Sequence, residues 1–348
     1  MLKWCTLVAL VLWLAACSHK DNSTPSPAQN TYRAELPLNI TFDTLRQLIT
    51  PTLLVTVNGV ANNVIFDTGS WGLRILPGAL KNANLSITQK LLDYNYGTGT
   101  GEIYIRGREA NGTFSIGNLS TTTPIHLMLI DTIRRSLTDP GRSTLDSVTI
   151  PNNHFRNFAG ILGVGLRNGS SIDVASPLAQ LPGNNSFIVR FPTYGQATGK
   201  LIMNPSDDEL AGFTFFQLVR GAYSLPNGLP SWLDSQVNGI ALINGSPLRA
   251  PTLLDTGTSP TAIYANGLPT YGLLSKGTVV HLGVAQPGQT SPVVDTTIMV
   301  NTRVGGKDRF YTYTTTATDP SMIYGTNFFY LFDVYYDQQR GRIGIKRK

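Results

Sequence analysis

The chain is poor in cysteine: it holds two in 348 residues, Cys5 and Cys17, both near its start. No disulfide can therefore staple the remainder, whose stability has to come from a buried core. Histidine is nearly as scarce. His19, His126, His154 and His281 lie far apart and show no metal-ligand spacing, so neither a metal nor a cofactor is expected. Charge is thin, at 14% of residues, and the formal excess of +6 is spread out, with Arg134-Arg135 and Lys346-Arg347-Lys348 as its clusters. Nucleic-acid binders gather positive charge on one element, so nucleic acid is not an expected partner. No apolar run reaches the roughly 20 residues of a membrane-spanning helix. Three nucleotide or hydrolase motifs are missing as well. Gly195–Lys200 lacks P-loop spacing and reads as a hairpin turn, Gly97–Gly101 has no βαβ pattern around it, and no Gly-x-Ser-x-Gly elbow occurs.

What the chain has in quantity is turn chemistry, with 34 glycines and 21 prolines. Between the turns recur short runs rich in Val, Ile, Thr, Tyr and Phe, such as Leu53–Val57, Ile188–Phe191, Lys200–Met203 and Thr297–Val300. Asn58-Gly59 after the first of these is a strong hairpin signal. Stretches with a 3.6-residue apolar period are scarce. The pattern predicts a mostly β protein.

The N-terminus reads differently. Lys3 precedes an apolar run, Leu7–Leu14, and then Leu14-Ala15-Ala16-Cys17, which resembles the lipobox of bacterial lipoprotein signal peptides. The resemblance implies removal of residues 1–16 and acylation of Cys17. The protein would then be held by a lipid anchor in a bacterial cell envelope. Ser18 in place of Asp implies the outer membrane, facing the periplasm or the surface, in a Gram-negative cell. Residues 17–47 are expected to be the lipidated cysteine and a flexible tether, because Ser18–Thr31 is polar and carries Pro25 and Pro27.

One repeat carries chemistry. Val64-Ile65-Phe66 runs into Asp67-Thr68-Gly69-Ser70, and Thr252-Leu253-Leu254 runs into Asp255-Thr256-Gly257-Thr258, the aspartates 188 residues apart. Each is followed later by apolar residues and glycine, in Gly160-Ile161-Leu162-Gly163 and Met322-Ile323-Tyr324-Gly325. An apolar strand ending in Asp-Thr-Gly presents a carboxylate on a tight turn. Two such copies related by an approximate two-fold would bring both carboxylates together. So close, they cannot both ionise, and the shared proton lets one act as base while the other acts as acid.

These motifs resemble those of the pepsin-like aspartic peptidases, from about Thr50 to Lys346. The resemblance implies a bilobal acid-protease fold with two pseudo-two-fold-related β lobes, an N-terminal lobe with the flap at 48–191 and a C-terminal lobe at 192–348. It implies Asp67 and Asp255 as catalytic residues of an aspartic endopeptidase acting on a peptide or protein, working as a monomer. Thr68, Gly69, Ser70, Thr256, Gly257 and Thr258 would support the dyad, and Tyr96, Gly97 and Thr98, 29 residues on from Asp67, would belong to the flap. An inactive, peptide-binding or structural envelope lipoprotein on the same fold is the alternative. Departures from the family pattern stand at Arg74, where an aromatic that bonds the flap tyrosine is usual, and at Ala159, where Asp is usual. The span from Cys17 to Asp67 leaves no room for the family's usual prosegment. Donors Ser70 and Thr258 are expected to lower the carboxyl pKa values, with Arg74 adding to this if it faces the dyad and not solvent.

Overall fold

Alternating burial of apolar side chains is what turns most of this chain into strand. The computed structural model describes residues 32–43, 48–96, 103–135, 148–149, 155–169, 174–268, 272–301, 309–314 and 319–348. Cys17, Gly97 and Thr98 lie outside these. Among the described residues a 16-stranded sheet and an 8-stranded sheet account for nearly all the regular structure, with one short α-helix, Thr326–Leu331.

The two Asp-Thr-Gly loops are built by the same device. Leu48–Val57 and Val60–Asp67 form a hairpin through Asn58 and Gly59, whose φ values are 44° and 83°. Val237–Ile243 and Ser246–Leu254 form another through Asn244 and Gly245, with φ of 49° and 85°. Both turns need left-handed backbone at two successive residues, which asparagine followed by glycine supplies at low cost. The second strand of each hairpin leads directly to an aspartate.

Each of these strands then gains a parallel neighbour. Val60–Asp67 pairs with Gly160–Val164, placing Gly163 opposite Asp67. Ser246–Leu254 pairs with Ser321–Tyr324, placing Tyr324 opposite Leu254. In each half that neighbour also takes, antiparallel, the strand following the loop: Trp71–Ile75 in one and Thr261–Ala265 in the other. The repeat read from the sequence is thus a repeat of topology.

The halves are joined by a sheet section common to both, in which Ser186–Arg190 pairs with Thr198–Met203 and with Phe332–Asp337. The division expected between residues 191 and 192 falls in the turn of this first hairpin. The expected tether over residues 17–47 is too long: Ala34–Asp43 is a strand, paired with Thr198–Met203 and with Leu48–Val57. Its Ala34, Leu36 and Leu38 are buried while Glu35 and Pro37 are exposed. A continuous hydrophobic core draws Phe66, Phe187, Leu254, Phe328 and Tyr336 from both halves.

Candidate active site

Asp67 and Asp255 meet where the two loops touch, 4% and 8% exposed. Glycine is what allows the approach. A Cβ on Gly69 would stand 2.3 Å from Cγ of Asp255, and one on Gly257 would stand 2.6 Å from Oδ1 of Asp67. Each carboxyl occupies the space that a side chain on the opposite loop would need.

Each aspartate is held twice by its own loop. Gly69 N–H donates to Asp67 Oδ1 at 2.7 Å and Ser70 Oγ to Oδ2 at 2.5 Å. Gly257 N–H donates to Asp255 Oδ1 at 2.7 Å and Thr258 Oγ1 to Oδ2 at 2.6 Å. Beneath them the threonines cross over. Thr68 Oγ1 donates to Leu254 O at 2.9 Å and accepts from Thr256 N–H at 2.9 Å. Thr256 Oγ1 donates to Phe66 O at 2.9 Å and accepts from Thr68 N–H at 3.0 Å. Both threonines are fully buried, so these four bonds have no water to replace them.

The electrostatics corrects one expectation. Burial, and then the charge and hydrogen bond of Asp255, hold the Asp67 carboxyl well above its usual range, and the lowering by Ser70 and Gly69 is outweighed. The pair therefore retains a proton that two isolated carboxyls would lose.

Arg74 points neither to solvent nor onto the carboxylates. It is fully buried, with its guanidinium 3.3 Å from the centroid of the Tyr94 ring. Its Nη1 donates to Trp71 O at 2.5 Å and to the Tyr96 hydroxyl at 3.4 Å. That hydroxyl in turn donates to Ser70 Oγ at 3.4 Å. Arg74, Tyr96, Ser70 and Asp67 thus form one hydrogen-bonded line. Trp71 packs edge-on against Tyr94, with centroids 5.3 Å apart. Burial pushes the Tyr96 phenol up to about 12, so it stays a neutral donor.

Three further residues belong to the site, of which Arg167 and Asp234 carry no motif and Tyr336 lies in Phe332–Asp337, a segment similar to the last strands of the pepsin-like family but with no role readable from it. Tyr336 lies below the loops, its hydroxyl donating to Leu254 O at 3.2 Å and its ring stacked on Phe187 at 5.0 Å. Asp234, 1% exposed, accepts from Leu166 N–H at 2.6 Å and lies 2.7 Å from Arg167. Arg167 donates to Gly69 O at 2.7 Å. Their alignment with the loop arises only when strands distant in sequence pack. Among the described residues no group of three or more His, Cys, Asp or Glu side chains converges on a common point.

Comparison with known proteins bears on the fold. The chain matches no protein-family model and no curated protein sequence. Among solved structures it is similar to an aspartic proteinase from Irpex lacteus, with a TM-score of 0.55 and 18% identity, covering 90% of this chain and 98% of that one. The chain has the bilobal, mostly β architecture of pepsin-like proteinases.

Proposed function

We propose that this protein is an aspartic endopeptidase, with Asp67 and Asp255 acting as one catalytic unit. The observation that carries the reading is the reciprocal seat of the two carboxyls, each against the glycine of the other loop with two donors from its own. With one proton between the pair, the ionised carboxyl takes a proton from a water molecule as its oxygen attacks the scissile carbonyl carbon. The protonated carboxyl gives its proton to the carbonyl oxygen, forming a tetrahedral diol. Return of a proton to the amide nitrogen then breaks the C–N bond. Tyr96, held by Arg74 and bonded to Ser70, stands beside this space with its hydroxyl on the donor to Asp67.

The natural substrate is a peptide or unfolded protein, since the reading requires an extended segment to enter between flap and dyad. We further propose that Cys17 is acylated, so that the enzyme is tethered in a bacterial envelope. Intact mass of membrane-extracted protein tests this: a mature chain starting at Cys17 and carrying diacylglycerol plus a third acyl chain is expected, and any other terminus contradicts it.

Activity is tested with denatured casein at acidic pH. Wild type is expected to cleave it, a statine-type inhibitor to stop cleavage, and Asp67→Asn to abolish it. A folded wild type that neither cleaves casein nor binds the inhibitor would establish the alternative, a peptide-binding or structural lipoprotein.

A further inference from the structure

We propose that Arg167 and Asp234 form a positioning brace for the first active-site loop, holding the Gly69–Ser70 peptide so that both donors to Asp67 stay aligned. The proposal rests on the peptidase reading for its effect on rate, though not for its effect on the carboxyl.

The geometry is specific. Asp67 receives one hydrogen bond from Gly69 N–H and another from Ser70 Oγ. The peptide plane linking those two residues carries the Gly69 carbonyl, and this carbonyl accepts from Arg167 Nη2 at 2.7 Å. One residue on, Ser70 O accepts from Gly165 N–H at 2.7 Å. Fixing both carbonyls fixes the backbone at Gly69 and Ser70, the residues that carry the two donors.

Arg167 is itself held. Its Nε lies 2.7 Å from Asp234 Oδ1, and its guanidinium sits 5.2 Å from the Trp71 ring centroid. The other Asp234 oxygen accepts Leu166 N–H at 2.6 Å. Gly165 leaves room for this carboxylate, since a Cβ there would be 3.0 Å from Asp234 Oδ2 and 2.9 Å from Ser70 O. The two side chains are joined as an ion pair, and each makes a charge-assisted hydrogen bond to backbone, Arg167 to Gly69 O and Asp234 to Leu166 N–H.

The second loop has a different neighbour at this place. Gly163 and Gly325 occupy corresponding positions in the two halves, and four residues beyond them stand Arg167 and Phe329, the latter fully buried. The brace therefore acts on Asp67 and not on Asp255. Asp234 comes from the turn Asp234–Gln236 just before the strand Val237–Ile243 of the second half, so the first loop is aligned by a residue from the other half of the chain.

The test uses Arg167→Lys, which keeps a cation near Asp234 but cannot reach both partners with a planar fork. The double variant Arg167→Met/Asp234→Leu leaves no buried charge unpaired, should the single change fail to fold. Two readouts are taken on protein with unchanged circular dichroism: casein hydrolysis, and the titration of Asp67 by carboxyl ¹³C NMR, identified by difference from Asp67→Asn. The charged and titratable groups around the pair are Arg74, Tyr94, Tyr96, Asp234, Arg167 and Tyr336, and all but the substituted ones remain.

Loosened donors are expected to move the Asp67 titration upward, and kcat to fall about 10- to 100-fold with KM within about 3-fold. An unmoved titration in both folded variants overturns the brace, whatever the rate does. A moved titration in a protein whose wild type cleaves nothing upholds the brace and overturns the peptidase reading.

Discussion

Asp67 pays for its burial in a way that can be measured. Its carboxyl is held above the unfolded value of about 3.8 by burial and by Asp255. A raised carboxyl favours the fold in its protonated form, so this contribution is full below the unfolded pKa and is lost as pH rises through the folded one. Asp67→Asn, which cannot ionise, is expected to lose less stability than wild type as pH rises above the unfolded carboxyl range. Urea unfolding at each pH checks this, and parallel curves for the two proteins would contradict it. Arg74 is the other residue whose surroundings make a prediction. Its charge is stacked on Tyr94 and directed at carbonyls and a phenol, and its contact with the dyad runs through the Tyr96 hydroxyl. Arg74→Met should therefore slow casein hydrolysis, by about 10-fold, but add little in a Tyr96→Phe background. Full additivity of the two changes would show that Arg74 acts by another route.

At the scale of elements, the two loops are one object because of the crossed threonines. Thr68→Val would leave Thr256 N–H without a partner in a dry place and Leu254 O with the Tyr336 hydroxyl alone. The expected cost is roughly 1–3 kcal/mol, set by the one unpartnered N–H. Thr256→Val should cost a similar amount, and the double variant less than the sum, as thermal unfolding would show. A cost near zero would mean that the loops are held by their strands alone. These loops were legible in the sequence because their chemistry is local: an apolar run, Asp-Thr-Gly and a hydroxyl lie within seven residues. The hairpin at Asn58-Gly59 was legible for the same reason, and Asn244-Gly245 carries the same signal ahead of the second loop. The strand Ala34–Asp43 was hidden by Pro37, which argues against a strand interior, and by its polar approach. Yet Leu36, Leu38, Ile40 and Phe42 alternate there as a strand requires. Arg167 and Asp234 left no trace, and Tyr336 was legible as part of a closing strand but not as a neighbour of the loops, since these roles depend on which distant strands pack together.

Among the described residues the two halves are tied by shared structure. The strands Ser186–Arg190, Thr198–Met203 and Phe332–Asp337 belong to one sheet with Ala34–Asp43, and the core under the dyad is drawn from both halves. Unfolding is expected to be a single transition, with tryptophan fluorescence from Trp71 and Trp232 coinciding with far-UV circular dichroism. Separate transitions would mean that the halves hold their structure independently. This unity is also what the chemistry needs, because a dyad made by two halves exists only while both are folded and apposed. The central claim, that Asp67 and Asp255 work as one unit, is tested most directly by casein hydrolysis with Asp67→Ala, Asp255→Ala and the double variant. The account predicts that each single change abolishes as much of kcat as the two together. Losses that multiply, or a single variant that cleaves as fast as wild type, would contradict it.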